Sequence, residues 1–198
     1  MGTLFCTSAG LSAAAVKTEF EHALLGAPNK RVALVVTAAE EKAHNKYAVM
    51  GKDSLETLGC AVDFVDLETD PNFDFSPYGI IYVTGGNTFF LLDHARRAHF
   101  GETVRALLAR DGIYFGVSAG SLIMAPDISI VDFTGGDPNE VGMTDFTAFG
   151  LTDWYFDVHY TPTDEPLIRA FEHKTGHKVS RLTDVQAIVS ENGHERLI

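Results

Sequence analysis

The sequence predicts an α/β protein, a three-layer α/β/α arrangement around a mostly parallel sheet, and three observations carry the prediction. Short apolar runs rich in β-branched residues alternate with stretches whose apolar residues recur at helical spacing. The runs are continuously apolar, as strands covered on both faces require. The 198 residues, 45% of them hydrophobic, supply one sizeable core and too little chain for two, so residues 1–198 are expected to form a single domain.

In order, strands are expected at residues 3–6, 31–37 (RVALVVT), 61–65, 80–84 (IIYVT) and 113–116. Helices are expected between them over 13–25, 38–58, 88–97 and 102–110, with Gly51 a weak point in the second. Past Pro126 the pattern changes: 128–131, 154–158 and 187–190 read as short strands, and 165–175 as one helix. No repeat, low-complexity tract or linker separates these segments.

Asp and Glu number 27 against 15 Lys and Arg, a formal net charge of −12, which opposes binding to nucleic acid or to an anionic membrane. No apolar stretch of about 18 residues is present to span a membrane. The opening MGTLFCTSAG lacks the layout of a secretory signal. Cys6 and Cys60 make no disulfide framework or metal cluster and fit buried thiols in a reducing cytoplasm.

In open parallel sheets the functional groups gather beyond the carboxyl ends of the strands. The strand at 113–116 runs into Gly116-Val117-Ser118-Ala119-Gly120, a G-x-S-x-G turn between strand and helix. Such a turn holds its serine in a strained conformation that exposes the hydroxyl, and larger residues at the flanking glycines would collide. It also points the first N–H groups of the new helix, that of Ala119 above all, at any oxyanion beside Ser118. The strand at 80–84 is followed by Gly85-Gly86-Asn87-Thr88, where a second oxyanion donor fits at Gly86 and Asn87 or Thr88 fits as helix cap.

Ser118 needs a base, and histidine is the side chain suited to it near neutral pH. Of the eight histidines, His22, His44, His94 and His99 lie on or at the ends of expected helices among charged neighbours, His173 and His177 are separated by the helix-breaking Gly176, and His194 sits in the polar turn 191–195. His159 differs, because it follows the apolar strand at 154–158. The acid that orients it is Asp184 or Asp157; position favours Asp184, since Asp157 cannot easily lie behind the ring. Asp137, Glu140 and Asp145 lack a histidine at ligand spacing and read as an acidic surface loop, so no metal is expected.

These segments resemble the peptidase E (aspartyl dipeptidase) family of serine peptidases and the larger class I glutamine amidotransferase-like superfamily, whose sheets are flavodoxin-like. The resemblance rests on residues 82–92 (YVTGGNTFFLL), 116–126 (GVSAGSLIMAP), 158–162 (VHYTP) and 182–189 (LTDVQAIV). It implies Ser118 as nucleophile, His159 as base, oxyanion donors from Gly86 and Ala119, and Asp184 where the best-known dipeptidases carry glutamate. The chain order Ser118, His159, Asp184 separates this reading from an α/β-hydrolase esterase, whose acid precedes its histidine. A silent binding module of the same fold is a further alternative. Aspartyl dipeptidases also carry an arginine-bearing segment after the histidine that holds the substrate's N-terminal aspartate. Here residues 161–169 (TPTDEPLIR) are shorter and acidic, with Asp164 in the arginine's place and Arg169 as a substitute or a surface residue. Asn87, Asp164 and Arg169 are therefore the candidate substrate contacts, and strict specificity for an N-terminal aspartate is not expected. The implied protein is a cytoplasmic, cofactor-free hydrolase of small peptides, monomeric or homodimeric.

Overall fold

The computed structural model of the chain describes residues 2–191 and 193–198. Its strands are β1 (Thr3–Thr7), β2 (Arg31–Val35), β3 (Ala61–Val65), β4 (Ile80–Val83), β5 (Ile113–Val117), β6 (Tyr155–Asp157), β7 (Val179–Arg181), β8 (Ala187–Glu191) and β9 (His194–Leu197). The helices between them are α1 (Ala14–Leu24), α2 (Lys46–Thr57), α3 (Thr88–Arg97), α4 (Phe100–Ala109), α5 (Ala119–Leu122), α6 (Ser129–Thr134) and α7 (Glu165–Thr175).

Among the described residues, seven strands form the central sheet in the order β3-β2-β4-β5-β1-β8-β9. The first five run parallel, and β8 and β9 add an antiparallel edge beside β1. Successive side chains alternate between two cores, as the pleat dictates. Phe5, Leu34, Tyr82 and Phe115 face α1 and α2, whereas Cys6, Val35, Val83 and Tyr114 face α3 and α4. Phe115 stacks between Phe5 and Tyr82, with ring centroids 5.3 and 5.0 Å away. The three-layer α/β/α arrangement follows directly from continuous apolar strands with a helix on either side.

Three expectations need correction. Residues 128–131 form the start of α6 rather than a strand: Asp127 accepts the Ser129 N–H at 2.8 Å, and Ile130 and Val131 pack into the core from a helix that ends on Gly135 with a φ of 70°. Their β-branched side chains read as a strand, and tertiary burial overrides that propensity. The helix expected over 38–58 starts only at Lys46, where the Asn45 side chain caps it by accepting the Tyr47 N–H. Residues before it fold as a loop with a short 3₁₀ turn at Lys42–His44. His194 opens β9 opposite Glu191 instead of lying in a turn, while Asn192 falls outside the described residues. The second, two-stranded sheet pairs β6 with β7, and β7 is too short to be heard in the sequence.

Candidate active site

Four parallel strands end along one rim of the sheet, and the segments that leave them form the walls of one cavity of about 1100 Å³. Ser8 and Ala9 follow β1, Thr37 to Ala39 follow β2, Gly85 to Asn87 follow β4, and Ser118 follows β5.

Ser118 turns the chain from β5 into α5 with φ 51° and ψ −112°, an unfavourable conformation for a residue with a Cβ. The surroundings enforce it. The Ser118 N–H donates to the Thr7 carbonyl at 2.9 Å, and a Cβ on Gly116 or Gly120 would lie within 2.6 Å of the Gly120 or Val83 carbonyl oxygen respectively. Ser121 completes the clamp: its hydroxyl donates to the Thr7 carbonyl at 2.8 Å and accepts the Thr7 N–H at 2.7 Å, both buried. Gly85 leaves the serine room, since a Cβ there would stand 3.0 Å from Ser118 Cβ. Gly86 has a φ of 141°, and a Cβ on it would run into the Ala38 carbonyl, so no other residue fits. Asn87 caps α3 by accepting the Phe90 N–H at 2.9 Å, and its amide donates to the Pro138 carbonyl at 2.8 Å.

His159 and Asp184 reach this rim from the second half of the chain. His159 Nε2 lies 3.1 Å from Ser118 Oγ, and His159 Nδ1 lies 2.6 Å from Asp184 Oδ1. His159 has a φ of 57°, and its N–H donates to the buried Ser8 hydroxyl at 3.0 Å. Ser8 in turn donates to the Leu182 carbonyl at 2.9 Å, which also accepts the Tyr160 N–H. One hydroxyl thus ties the histidine segment to the segment that leads to Asp184. Gln186 closes the turn below Asp184, its side-chain oxygen accepting from the Thr183 N–H and hydroxyl while its own N–H donates to the Thr183 carbonyl. Ser8 gave no motif; its one legible signal is its place just past the first strand.

Of the two acids open in the sequence, Asp184 contacts the imidazole. Asp157 is half-buried, and burial, followed by the nearby Asp164 charge, pushes its carboxyl up to about 6 against the pull of His159 and Arg181. Neither Asp164 nor Arg169 lines the cavity. Asp164 accepts the Thr161 N–H and hydroxyl at 2.7 and 2.9 Å, and Arg169 pairs with Glu165 one helical turn away at 2.7 Å. The carboxylates that do line it are Glu40, Glu68, Asp137 and Glu140 together with Asp184. Asp137, read from the sequence as part of a surface loop, accepts the Thr88 N–H at 2.9 Å at the start of α3. Lys42 is the one lysine or arginine on the described cavity wall, and it is engaged by Glu68 at 2.8 Å, Asp66 at 3.6 Å and the Phe90 ring. Among the described residues no three His, Cys, Asp or Glu side chains group to hold a metal ion. No described helix is long and apolar enough to cross a membrane.

Comparison with known proteins gives the family. The chain is 33% identical over 167 residues to the uncharacterized peptidase Lmo0363 of Listeria monocytogenes, covering 82% of this chain and 80% of that one. It is 31% identical over 107 residues to peptidase E of Citrobacter koseri, covering 54% and 45% of the two chains. The crystal structure of a Listeria monocytogenes EGD-e protein described as a candidate peptidase E superposes with a TM-score of 0.80 at 28% identity, covering 100% of this chain and 98% of that one. The sequence profile of peptidase family S51 matches residues 4–198. The chain belongs to peptidase family S51 and is a serine-type peptidase.

Proposed function

We propose that the protein hydrolyses the amide bond of small peptides, dipeptides foremost, with Ser118 as nucleophile, His159 as general base and then acid, and Asp184 as the acid that orients His159. The observation that carries this reading is the unbroken contact chain from Ser118 Oγ through the two ring nitrogens of His159 to Asp184. With Nδ1–H donating to Asp184, Nε2 carries the lone pair that accepts the Ser118 proton. As Ser118 Oγ attacks the substrate carbonyl, the proton passes to Nε2, and the carbonyl oxygen becomes an oxyanion. The Gly86 N–H, which makes no backbone hydrogen bond to the protein among the described residues, and the Ala119 N–H, first in α5, are available to receive that charge. Nε2 then gives its proton to the leaving amine, and water returns the acyl group as a carboxylic acid by the same steps in reverse.

The cavity favours a substrate's free ammonium over an added carboxylate, because its walls carry several acids and a lysine that is already paired. Strict specificity for an N-terminal aspartate is therefore not expected. The role first given to Asp164 passes to the wall carboxylates. Two free, buried thiols fit a reducing compartment, which we take to be the cytoplasm. A dipeptide library tests the reading: the purified protein is expected to release free amino acids from members with neutral side chains, with activity abolished in Ser118→Ala. Hydrolysis retained in Ser118→Ala would overturn it.

A further inference from the structure

The cavity extends past Ser118 to a part of the wall that the hydrolytic chemistry does not use. There the Tyr82 ring is stacked against Phe115 at 5.0 Å with its hydroxyl end aimed between Gly10 and Gly51. A Cβ on Gly10 would come within 2.8 Å of that hydroxyl oxygen, and one on Gly51 within 3.5 Å. The two glycines are what leave the hydroxyl uncovered. Tyr82 is only 4% exposed, it borders the cavity, and its hydroxyl has no hydrogen-bond partner among the described residues. Burial pushes its ionisation well above the usual tyrosine range, so it remains a neutral donor and acceptor. The wall on this side mixes apolar and hydroxyl groups: Leu11 and Ser12 from the 3₁₀ turn Gly10–Ser12, Tyr47, Met50 and Ser54 from α2, and Val117, the neighbour of Ser118.

The Tyr82 hydroxyl opens on the cavity without a partner among the described residues, so a group on an occupant can pair with it, and exposed Tyr47 and Met50 are apolar surface that an occupant would cover. The cavity acids Glu40, Asp137 and Glu140 belong to other segments, namely the loop after β2 and the segment that meets the start of α3. We propose that this arm is a specificity pocket for a large uncharged side chain of the substrate that ends in a hydrogen-bonding group, as tyrosine does, and that Tyr82 is the residue that recognises its tip. The inference takes from the hydrolase reading only that the occupant is part of a peptide. It does not need turnover.

The test is therefore made on the Ser118→Ala protein, by calorimetric titration with glycyl-glycine and with dipeptides carrying tyrosine, phenylalanine or glutamate. Tyrosine-containing dipeptides are expected to bind at least tenfold more tightly than glycyl-glycine, and glutamate-containing ones no better than glycyl-glycine. Adding Tyr82→Phe, which keeps the ring and its stacking, is expected to shrink the preference for tyrosine over phenylalanine by about fivefold. Adding Gly51→Leu is expected to erase the preference for both aromatic dipeptides. Equal affinities for tyrosine-containing dipeptides and glycyl-glycine, or a tyrosine preference untouched by Tyr82→Phe, would overturn the pocket. If the wild-type protein cleaves nothing while these preferences hold, the hydrolase reading fails and the pocket stands.

Discussion

The chain up to Ala125 and the chain from Pro126 onward contribute to the same contact by different means. Ser118 is held by backbone and core: its N–H is pinned to β1, flanking glycines permit no alternative path, and Ala119 behind it is fully buried. His159 and Asp184 are half-exposed and held by side-chain hydrogen bonds, through Ser8 on one side and Gln186 on the other. Below them, charge does much of what packing does in the first half. Arg181 bonds Glu165 and Glu172 at 3.1 and 2.6 Å, and with Arg169 it pulls the Glu165 carboxyl down to about 2. Ser118 is thus fixed by the sheet itself, while His159 and Asp184, proposed to activate it, are placed by a few replaceable polar contacts. The first half should therefore yield to changes of backbone shape, and the second to single hydroxyl and carboxylate deletions.

The largest effect is expected at the outer end of the relay. Asp184→Asn keeps the side-chain shape but lets the imidazole take the wrong tautomer, so kcat on a cleaved dipeptide should fall by roughly a thousandfold or more. Circular dichroism should stay unchanged. A loss of less than tenfold would mean that Asp184 does not orient His159. Ser8→Ala probes the joint between the two halves. It leaves the His159 N–H and the Leu182 carbonyl without their hydroxyl partner, at a stability cost of about 1–3 kcal/mol. Because the ring is then less well placed, kcat should drop about tenfold while KM moves less than twofold. An unchanged kcat at lowered stability would make Ser8 a structural residue only.

The smallest effect is expected at Asp157, and it is a matter of pH. Its carboxyl titrates at about 6 in the folded chain, against about 4 when unfolded, so between those values the folded protein holds a proton that the unfolded chain has released. Stability contributed by the neutral acid is therefore present below pH 4 and lost as pH rises towards 6. Asp157→Asn removes that loss. The melting temperature of the variant, measured against wild type, should rise by a few degrees between pH 4 and 6.5 and level off above. A difference that stays constant across this range would contradict the placement of Asp157 as a half-buried acid.

The same contrast governs what could be read in advance. Strands such as Arg31–Val35 and Ile80–Val83 announce themselves because both faces are covered, which writes an uninterrupted apolar run into the sequence. The Ser118 turn is legible because steric demands admit glycine alone at fixed offsets. His159 could be singled out by its place after a short apolar strand, and Asp184 by its place just before another. Their separation from Asp157 needed the geometry, since residues two apart on a strand share a face. Ser8 carries no pattern, because a side-chain hydrogen bond across 151 residues has no local signature. Asp164 and Arg169 drew attention through their place in a motif, and local partners in α7 and the turn before it keep both away from the cavity. Residues 128–131 misled for the opposite reason: Ile128, Ile130 and Val131 are as buried as any strand, but Asp127 and Gly135 set helix ends around them.

Covalent capture reads out whether Ser118 is a nucleophile activated by His159, as proposed. Treated with an alkyl fluorophosphonate, the folded protein should gain a single adduct in its intact mass, mapped by peptide fragmentation to Ser118. The adduct should be lost in Ser118→Ala and form at least a hundredfold more slowly in His159→Ala. No adduct on the folded wild-type protein, an adduct on another residue, or equal labelling of His159→Ala would contradict the account.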